Sequence, residues 1–245
     1  MHHRVVSLLM ERVDIRSSSR ILDIATGTGL LALEAARRVG PAGKVVAIDA
    51  SHRMLAEARR KAAEAGLHRI AFVQADAEQL PLSPGSFDFI FCASAIVLMS
   101  DVPRALRHWA DYLRPGGMIA FDAPAKPFGL PQRIAEIAAR HAIHLAYAEI
   151  ADTRSKCRSL LEGAGFEVVE IRTELATSGS VALAEAIAFW DGRTDHPAWR
   201  ALTRAEPKTR EAMRCEYVES ITAAATDGYV PNDTALNIVL GRKAA

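Results

Sequence analysis

Short runs of apolar and β-branched residues alternate with longer amphipathic stretches through the first 125 residues of the chain. The short runs predict strands at 20–25, 44–49, 70–74, 87–92 and 118–122. The longer stretches between them predict helices at 30–39, 51–65 and 102–113, and Gly66 marks the end of the second. Because strands that alternate with helices are typical of βαβ units, this part of the chain predicts an α/β core around a parallel sheet.

The pattern changes after Pro124. Helical periodicity covers 132–147 and 153–164, a sixth strand is expected at 165–172, and a last one at 235–240. About sixty residues separate those two strands, and within them the segment 180–226 is again helical in pattern. An insertion of that length is uncommon as a loop. We expect one domain over 1–245, with a core at about 18–125, 150–175 and 233–242. A helical cap at about 126–150 and 178–232 would cover a substrate, although the same segment could instead form an oligomerisation surface.

Composition and charge narrow the class of protein. The chain has 245 residues, 50% of them hydrophobic and 24% charged, with a formal net charge of +1, which favours a folded protein with a small-molecule partner over nucleic-acid binding. No apolar run approaches the roughly 20 residues that span a bilayer. The start at 1–4 lacks a signal-peptide pattern, so we expect a cytoplasmic protein. The odd number of cysteines, Cys92, Cys157 and Cys215, argues against a disulfide framework.

A glycine turn follows the first predicted strand, within the segment 21–29. Gly27 and Gly29 leave out side chains where the chain turns into a helix, so a ligand could approach the backbone and the free N–H groups at the helix start. The segment 27–32 also fits the G-x-G-x-x-G/A pattern of dinucleotide sites, with the acidic Asp49 about twenty residues later. Taken alone, the turn leaves open a nicotinamide dinucleotide, another nucleotide and an ordinary strand-to-helix connection.

Acidic residues follow the next two predicted strands. Asp49 ends the second strand, where its carboxylate could accept hydrogen bonds from both hydroxyls of a ribose. It could instead cap the following helix, although Ser51 can serve that purpose. After the third strand, Asp76 could accept the amino proton of an adenine, and the Ala77 N–H could donate to a ring nitrogen. Met54 could contact the face of the adenine or fill the core.

Taken together, five ordered motifs at 22–29, 46–49 with 54–55, 76–81, 87–88 and 113–117 resemble those of class I S-adenosylmethionine-dependent methyltransferases. The resemblance covers about 18–125 and is to the branch that includes ubiquinone/menaquinone-biosynthesis and many natural-product methyltransferases. It implies a Rossmann-like, mostly parallel seven-stranded sheet with an antiparallel last strand, helices on both faces, and a helical cap inserted after strands five and six. It also implies methyl transfer from S-adenosylmethionine to an O, N or C nucleophile of a small-molecule acceptor, with S-adenosylhomocysteine as the product.

The resemblance assigns parts of the cofactor to residues. Asp23 and the backbone near Ala25 and Gly27 would hold the methionine part, and backbone around Cys92 would face its amino group. Asp49 would bind the ribose, and Asp76 with Ala77 the adenine. The full set of candidate cofactor-binding residues is Asp23, Ala25, Thr26, Gly27, Gly29, Asp49, Ala50, Met54, Asp76, Ala77 and Cys92.

Two features depart from many members of this family. Ala25-Thr26 stands where many of them carry a glycine, although the ubiquinone-type branch resembles the present sequence there. Fewer than about twenty residues precede the first strand, whereas many relatives have a longer N-terminal helical lid. The segment 180–226 could take the place of that lid.

The expected chemistry depends mainly on alignment, because the sulfonium already activates its methyl group. Alignment of two reactants is worth about 7 to 11 kcal/mol, and a phenol or carbon acid would need a base as well. Candidate bases are Asp122, His141, His144, Tyr147, His196 and Tyr217. A metal is not expected, because His141 and His144 share a helix face without a third ligand at suitable spacing. Three aromatic residues could line an acceptor pocket or pack in the protein core: Trp190, Trp199 and Tyr229.

Other functions remain open from the sequence. A nicotinamide-dependent oxidoreductase would use the glycine turn and Asp49 equally well, but it would not need Asp23 or the Asp76–Ala77 pair. A cofactor-binding protein of this fold with a role other than methyl transfer is a second alternative. A methyltransferase of nucleic acids is disfavoured because the charge is balanced and the segment 92–95 lacks a D/N-P-P-Y/F motif. The chain could also form a homodimer.

Overall fold

A computed structural model describes residues 1–80, 82–145, 149–192 and 199–244. The helices are α1 (His2–Met10), α2 (Leu30–Val39), α3 (His52–Glu64), α4 (Val102–Tyr112), α5 (Gly129–Arg140), α6 (Arg154–Gly163), α7 (Leu183–Asp191), α8 (Arg200–Thr203) and α9 (Pro207–Ala223). The strands are β1 (Arg20–Ile24), β2 (Lys44–Asp49), β3 (Ile70–Gln74), β4 (Phe87–Cys92), β5 (Leu113–Phe128), β6 (Phe166–Thr177), β7 (Ser180–Ala182), β8 (Tyr229–Pro231) and β9 (Thr234–Lys243). Across these ranges, no helix is long and apolar enough to cross a membrane.

Seven strands form one sheet in the order β3-β2-β1-β4-β5-β9-β6. β1 pairs in parallel with β2 and β4, β2 with β3, and β4 with β5. Ile21, Leu22 and Ile24 on β1 are fully buried, as expected for a central strand that is covered on both faces. The predicted fold is confirmed: a Rossmann-like, mostly parallel seven-stranded sheet with an antiparallel last strand.

The chain divides into two compact units. The first comprises Met1–Ala123, Arg154–Arg172 and Ile238–Ala245, and the second comprises Pro124–Thr153 and Thr173–Asn237. In the second unit, α9 packs against α5 and α7, and the short strands β7 and β8 pair in an antiparallel manner. That the core binds the cofactor and the helical cap covers the acceptor stays a prediction.

Several local features differ from the sequence expectation. β5 covers Leu113–Phe128, whereas a strand was expected at 118–122, and β6 continues to Thr177, five residues beyond its expected end. Residues 2–10 form α1, where no helix was expected. β7 opens the segment that was expected to be helical from residue 180. The helix expected to reach residue 147 ends at Arg140, because Ala142 takes a left-handed conformation (φ 58°) and the Ile143 N–H donates to the Ala138 carbonyl at 2.9 Å.

Candidate functional site

The predicted site residues lie in one row at the carboxyl edge of the sheet. Asp76 follows β3, Asp49 ends β2, the glycine turn follows β1, and Cys92 ends β4. Since these strands are neighbours in the order β3-β2-β1-β4, the row follows the sheet. Adjacent strands lie about 4.8 Å apart, so the row extends over roughly 14 Å. A row of this length suits an extended ligand that carries a different chemical group opposite each strand.

The turn after β1 is held by hydrogen bonds to β2. Ala25 has a left-handed φ of 54°, and the next residue, Thr26, donates its N–H to the Ile48 carbonyl at 2.8 Å. Gly27 also has a left-handed φ, of 56°, and a Cβ built on it would meet nothing within 4 Å. The open space beside Gly27 leaves its backbone accessible to a ligand.

Gly29 lies in tightly packed surroundings, unlike Gly27. It is buried, and an added Cβ would lie 3.0 Å from the Ala58 Cβ on α3 and 3.7 Å from the Phe72 ring. The missing side chain therefore lets the start of α2 approach α3 closely. Packing inside the protein explains the small size of Gly29, and its place in the cofactor site stays a prediction.

Asp49 links the turn after β1 to the start of α3. Its Oδ2 accepts the Gly27 N–H and its Oδ1 accepts the Ser51 N–H, each at 2.8 Å. The cap of α3 is Ser51, whose Oγ accepts the Met54 N–H at 3.3 Å, so Asp49 is not needed as the cap. Asp49 is only half-buried and Ala50 is exposed, so the carboxylate is fixed in orientation while its remaining lone pairs can meet a ligand.

The residues after β3 offer polar groups next to an exposed apolar side chain. Asp76 is exposed, and its Oδ1 accepts the Glu78 N–H at 2.9 Å, which orients the carboxylate. The Ala77 carbonyl accepts Nε1–H of the buried Trp109 at 2.8 Å. Met54 is 46% exposed, which excludes the core-filling interpretation and leaves its thioether free for contact with a flat apolar ligand.

Asp23 is buried beneath the turn, with 1% of its surface exposed. Its Oδ2 accepts the Thr26 hydroxyl at 2.5 Å, and the Ala32 N–H in the first turn of α2 also donates to it. Burial raises the pKa of Asp23 to about 7, and the nearby charge of Asp49 adds to this rise. A cation bound at the turn would favour the ionised carboxylate, so the site suits a ligand with an ammonium group at this point of the row.

The ends of β4 and β5 bring together groups that are far apart in the sequence. Cys92 is fully buried, and burial raises the pKa of its thiol well above the usual value, whereas the next two residues, Ala93 and Ser94, are half-buried. Asp122 on β5 is 3% exposed and accepts the Ser94 N–H at 2.6 Å, and burial raises its pKa to about 7. Ser94 was not among the predicted site residues, because no motif marks it.

The other candidate bases that the structure describes lie in the second unit, where each has a hydrogen-bond partner. His141 Nε2 is 2.5 Å from Glu216 Oε1, and His144 Nδ1 is 3.4 Å from Glu149 Oε1. The buried Tyr217 donates its hydroxyl to the Ala186 carbonyl at 2.7 Å. Within the described part of the chain, no group of three or more His, Cys, Asp or Glu residues could hold a metal ion. Pro81, Tyr147 and His196 lie outside the described residues.

The aromatic residues considered for an acceptor wall divide into two groups. Trp190 and Trp199 are 6% and 5% exposed, and the Trp190 ring lies 5.4 Å from the ring of Tyr217. These two tryptophans belong to the core of the second unit. Tyr229, at 55% exposure, is open to solvent.

Comparison with known proteins identifies relatives of the chain. A family model described as "Methyltransferase domain" matches residues 21–117. Nocamycin O-methyltransferase from Saccharothrix syringae is 29% identical over 256 residues, covering 97% of this chain and 90% of that protein. The ubiquinone/menaquinone biosynthesis C-methyltransferase UbiE from Idiomarina loihiensis is 31% identical over 193 residues, covering 71% of this chain and 76% of that protein. Phosphoethanolamine N-methyltransferase 2 from Haemonchus contortus, solved with phosphomonomethylethanolamine and S-adenosylhomocysteine, shares the fold with a TM-score of 0.61 and 18% identity, covering 99% of this chain and 52% of that one.

Proposed function

The chain belongs to the class I S-adenosylmethionine-dependent methyltransferases, and we propose that the row of residues at the carboxyl edge of its sheet binds the cofactor. As a member of this family it is an enzyme that uses S-adenosylmethionine as its methyl donor. The relatives do not favour the nicotinamide-dependent alternative or a role other than methyl transfer. The assignment of individual residues in the row is our proposal.

The order of groups along the row is the observation that carries this proposal. Asp76 and Ala77 after β3 bind the adenine, with Met54 against its face. Asp49 after β2 accepts the ribose hydroxyls, in the orientation that Gly27 and Ser51 give it. The open backbone at Gly27 and the buried carboxylate of Asp23 then receive the methionine part. Each of these groups matches the chemistry of the neighbouring part of one extended molecule.

When bound, the cofactor supplies a methyl group that its sulfonium activates. The residues of the chain hold and orient it. Asp23 provides negative charge for the ammonium of the methionine part, and this interaction is strong because the carboxylate is shielded from water. The backbone around Cys92, at the half-buried residues that follow it, completes the same end of the row, whereas the buried thiol takes no part.

Calorimetric titration with S-adenosylmethionine, S-adenosylhomocysteine and NAD tests the cofactor assignment. We expect both sulfur nucleotides to bind and NAD not to bind. Asp49→Ala should weaken binding by about tenfold or more, and Asp76→Ala by about threefold to tenfold, because each removes a charge-assisted hydrogen bond. The matched control is Asp14→Ala, which removes an 84% exposed carboxylate outside the row and should leave affinity unchanged. Binding of NAD alone, or equal losses in all three variants, would refute the assignment.

We propose that the acceptor is a small molecule with an acidic O–H or C–H group, and not a nucleic acid. Support comes from the O- and C-methyltransferases among the relatives and from the formal net charge of only +1. A panel of phenols and hydroquinones incubated with S-adenosylmethionine should yield a product heavier by one methyl group, detected by mass spectrometry. Transfer RNA and duplex DNA in parallel reactions should yield none. Methylation of either nucleic acid would contradict the proposal.

We further propose that the second unit recognises the acceptor. It contains a pocket of about 170 Å³ with a mainly apolar lining and a few charged groups, which suits a small apolar molecule that carries a polar group. The pocket is lined by Pro124, Ala125, Lys126, Phe128, Gln132, Ala135, Glu136, Ala139, Glu149 and Asp152. Ala135→Leu should fill part of this space and raise the KM of the acceptor severalfold while the Kd of S-adenosylmethionine stays the same. Ala184→Leu, on an exposed position of α7, is the control, and equal effects of both variants would count against the assignment.

A cytoplasmic location is also our proposal. Cys92 and Cys215 form no disulfide, and Cys215 is exposed, which suits a reducing compartment. Cell fractionation should recover the protein with cytoplasmic markers. Recovery in an exported fraction, with Cys215 oxidised, would contradict this proposal.

A further inference from the structure

The helix α1 places a histidine beside the loop that follows β4. His2 Nδ1 lies 3.3 Å from the Ser94 hydroxyl oxygen, although the two residues are 92 positions apart in the chain. Ser94 comes two residues after Cys92, whose backbone belongs to the methionine end of the proposed cofactor row. His2 therefore stands at the end of the row where the reacting methyl group has to be presented to an acceptor.

The position of Ser94 is fixed by the protein. Its φ of 56° is left-handed, which is unfavourable for a residue with a side chain. The hydrogen bond from its N–H to the buried Asp122 carboxylate at 2.6 Å holds it in this conformation. A strained residue that is held in this way turns its hydroxyl toward His2.

The position of His2 is fixed by the packing of α1. Val5 and Leu9 on this helix are fully buried, and Val6, Leu8 and Met10 are at most 6% exposed. α1 packs against α2, whose first turn belongs to the proposed cofactor site. The imidazole is thus carried by an anchored helix, and its hydrogen bond to Ser94 sets the orientation of the ring.

Building on the proposed function, we propose that His2 is the base that takes the proton from the methyl acceptor, and that Ser94 positions it. With its proton on Nδ1, the imidazole donates to the Ser94 oxygen and keeps the Nε2 lone pair for the acceptor. The acceptor O–H or C–H gives its proton to Nε2 while the acceptor atom forms its bond to the methyl carbon. The electron pair of the breaking S–CH₃ bond stays on sulfur, which yields S-adenosylhomocysteine, and His2 later releases the proton to water.

The surroundings of His2 keep it in the neutral form that this role requires. Partial burial lowers its pKa, and the chain amino group and His3 on its own helix act in the same direction. Ser94, which the ring contacts, is uncharged, and the Asp122 carboxylate accepts a hydrogen bond from the Ser94 N–H. At neutral pH the ring therefore carries a free lone pair.

Histidine titrations followed by NMR test the location of His2 without knowledge of the acceptor. The protein has 8 histidines, and His2→Gln and His3→Gln variants would assign the two signals of interest. S-adenosylmethionine carries a positive sulfonium that S-adenosylhomocysteine lacks. Close to that charge, the pKa of His2 should be lower in the S-adenosylmethionine complex than in the S-adenosylhomocysteine complex. The NMR signals of His3, the built-in control, should be the same in the two complexes.

The possible results separate this inference from the proposed function. If both nucleotides bind and the pKa of His2 is the same in the two complexes, the inference on His2 is wrong while the cofactor assignment stands. If neither nucleotide binds, the proposed function fails and the inference fails with it. Ser94→Ala should leave binding intact but reduce the difference at His2, because the ring then loses its orienting partner.

Turnover gives a second readout with any phenol or hydroquinone from the acceptor panel that is methylated. His2→Gln should lower kcat at neutral pH by roughly 100-fold and leave the KM of S-adenosylmethionine unchanged, since general bases typically contribute such factors. Added imidazole should restore part of the rate. His3→Gln should behave as the wild type, and an equal loss of rate in both variants would refute the catalytic role of His2.

Discussion

Residues with left-handed backbone conformations mark the two loops that form the methionine end of the row. Ala25 (φ 54°) and Gly27 (φ 56°) follow β1, and Ser94 (φ 56°) follows β4. For alanine and serine this conformation costs about 1 to 2 kcal/mol, so it persists only where other interactions hold it. Here these interactions are the Thr26 N–H bond to β2 and the Ser94 N–H bond to Asp122. Both loops are therefore shaped by the protein before any ligand binds.

The first residue-scale prediction concerns Gly27. Gly27→Ala should destabilise the fold by about 1 kcal/mol, because alanine disfavours positive φ, and should weaken S-adenosylmethionine binding by tenfold or more, because the Cβ enters the open space beside the turn. The control is Gly66→Ala, at a glycine with a φ of 68° and equally open surroundings after α3. Calorimetry and urea unfolding should show similar losses of stability but a loss of affinity only for Gly27→Ala. Equal affinities would mean that the ligand does not approach Gly27.

A second residue-scale prediction concerns Met54. Because its side chain is 46% exposed, Met54→Ala should change the free energy of unfolding by less than about 0.5 kcal/mol. It should nevertheless weaken binding of S-adenosylhomocysteine by about fivefold, through the loss of apolar contact with the adenine. Its exposed neighbour Arg53 is the control, and Arg53→Ala should leave the affinity unchanged. Wild-type affinity in Met54→Ala would remove this residue from the adenine site.

At the scale of elements, two helix ends with the same geometry show what a sequence can reveal. After α3, Gly66 is left-handed and the Leu67 N–H donates to the Ala62 carbonyl at 2.8 Å. After α5, Ala142 takes the corresponding position, with the Ile143 N–H bonded to the Ala138 carbonyl at 2.9 Å. Only the glycine gives a sequence signal, so the end of α3 was predicted within a residue and the end of α5 was placed seven residues too late.

The bounds of α2, β2, β3 and β4 were predicted correctly because their apolar patterns are bounded by polar residues or glycine. α1 was missed for a different reason. A helix of nine residues is marginal by itself and depends on the packing of its apolar face, and the sequence does not reveal what that face contacts.

The dependence of α1 on packing leads to an element-scale prediction. Leu9 is fully buried, so Leu9→Ala should lower the free energy of unfolding by about 2 to 4 kcal/mol through the cavity that it leaves. Arg4→Ala, at an exposed position of α1, should cost less than about 0.5 kcal/mol. Urea unfolding monitored by circular dichroism measures both. Equally small losses would show that α1 is not anchored, which would also weaken the placement of His2.

At the scale of the whole molecule, the row of site residues could be predicted because the carboxyl ends of parallel strands meet at one edge. The interactions within the row could not. The burial of Asp23 depends on the packing of α2 over β1, and the His2–Ser94 contact joins segments 92 residues apart. Such contacts arise only when parts of the chain that are distant in sequence pack together in the folded protein.

The assembled fold buries two carboxylates, and this predicts how the stability of the molecule depends on pH. Burial raises the pKa values of Asp23 and Asp122 from 3.8 to about 7. At pH values between these two pKa values the native state binds more protons than the unfolded state. The free energy of unfolding therefore falls as the pH rises from about 4 to about 7. It should be flat above that range, because both states are then ionised at these positions. Urea unfolding at pH 4, 5, 6, 7 and 8 measures this slope.

Asp122→Asn isolates one of the two contributions. The amide oxygen can still accept the Ser94 N–H, but no charge has to be buried. The variant should therefore match the wild type near pH 4 and exceed its stability by roughly 2 to 4 kcal/mol at pH 8, since each pKa unit corresponds to about 1.4 kcal/mol. Asp14→Asn, at an exposed carboxylate, should keep the wild-type slope. If Asp122→Asn keeps the wild-type slope too, the Asp122 carboxylate is solvated in the native protein.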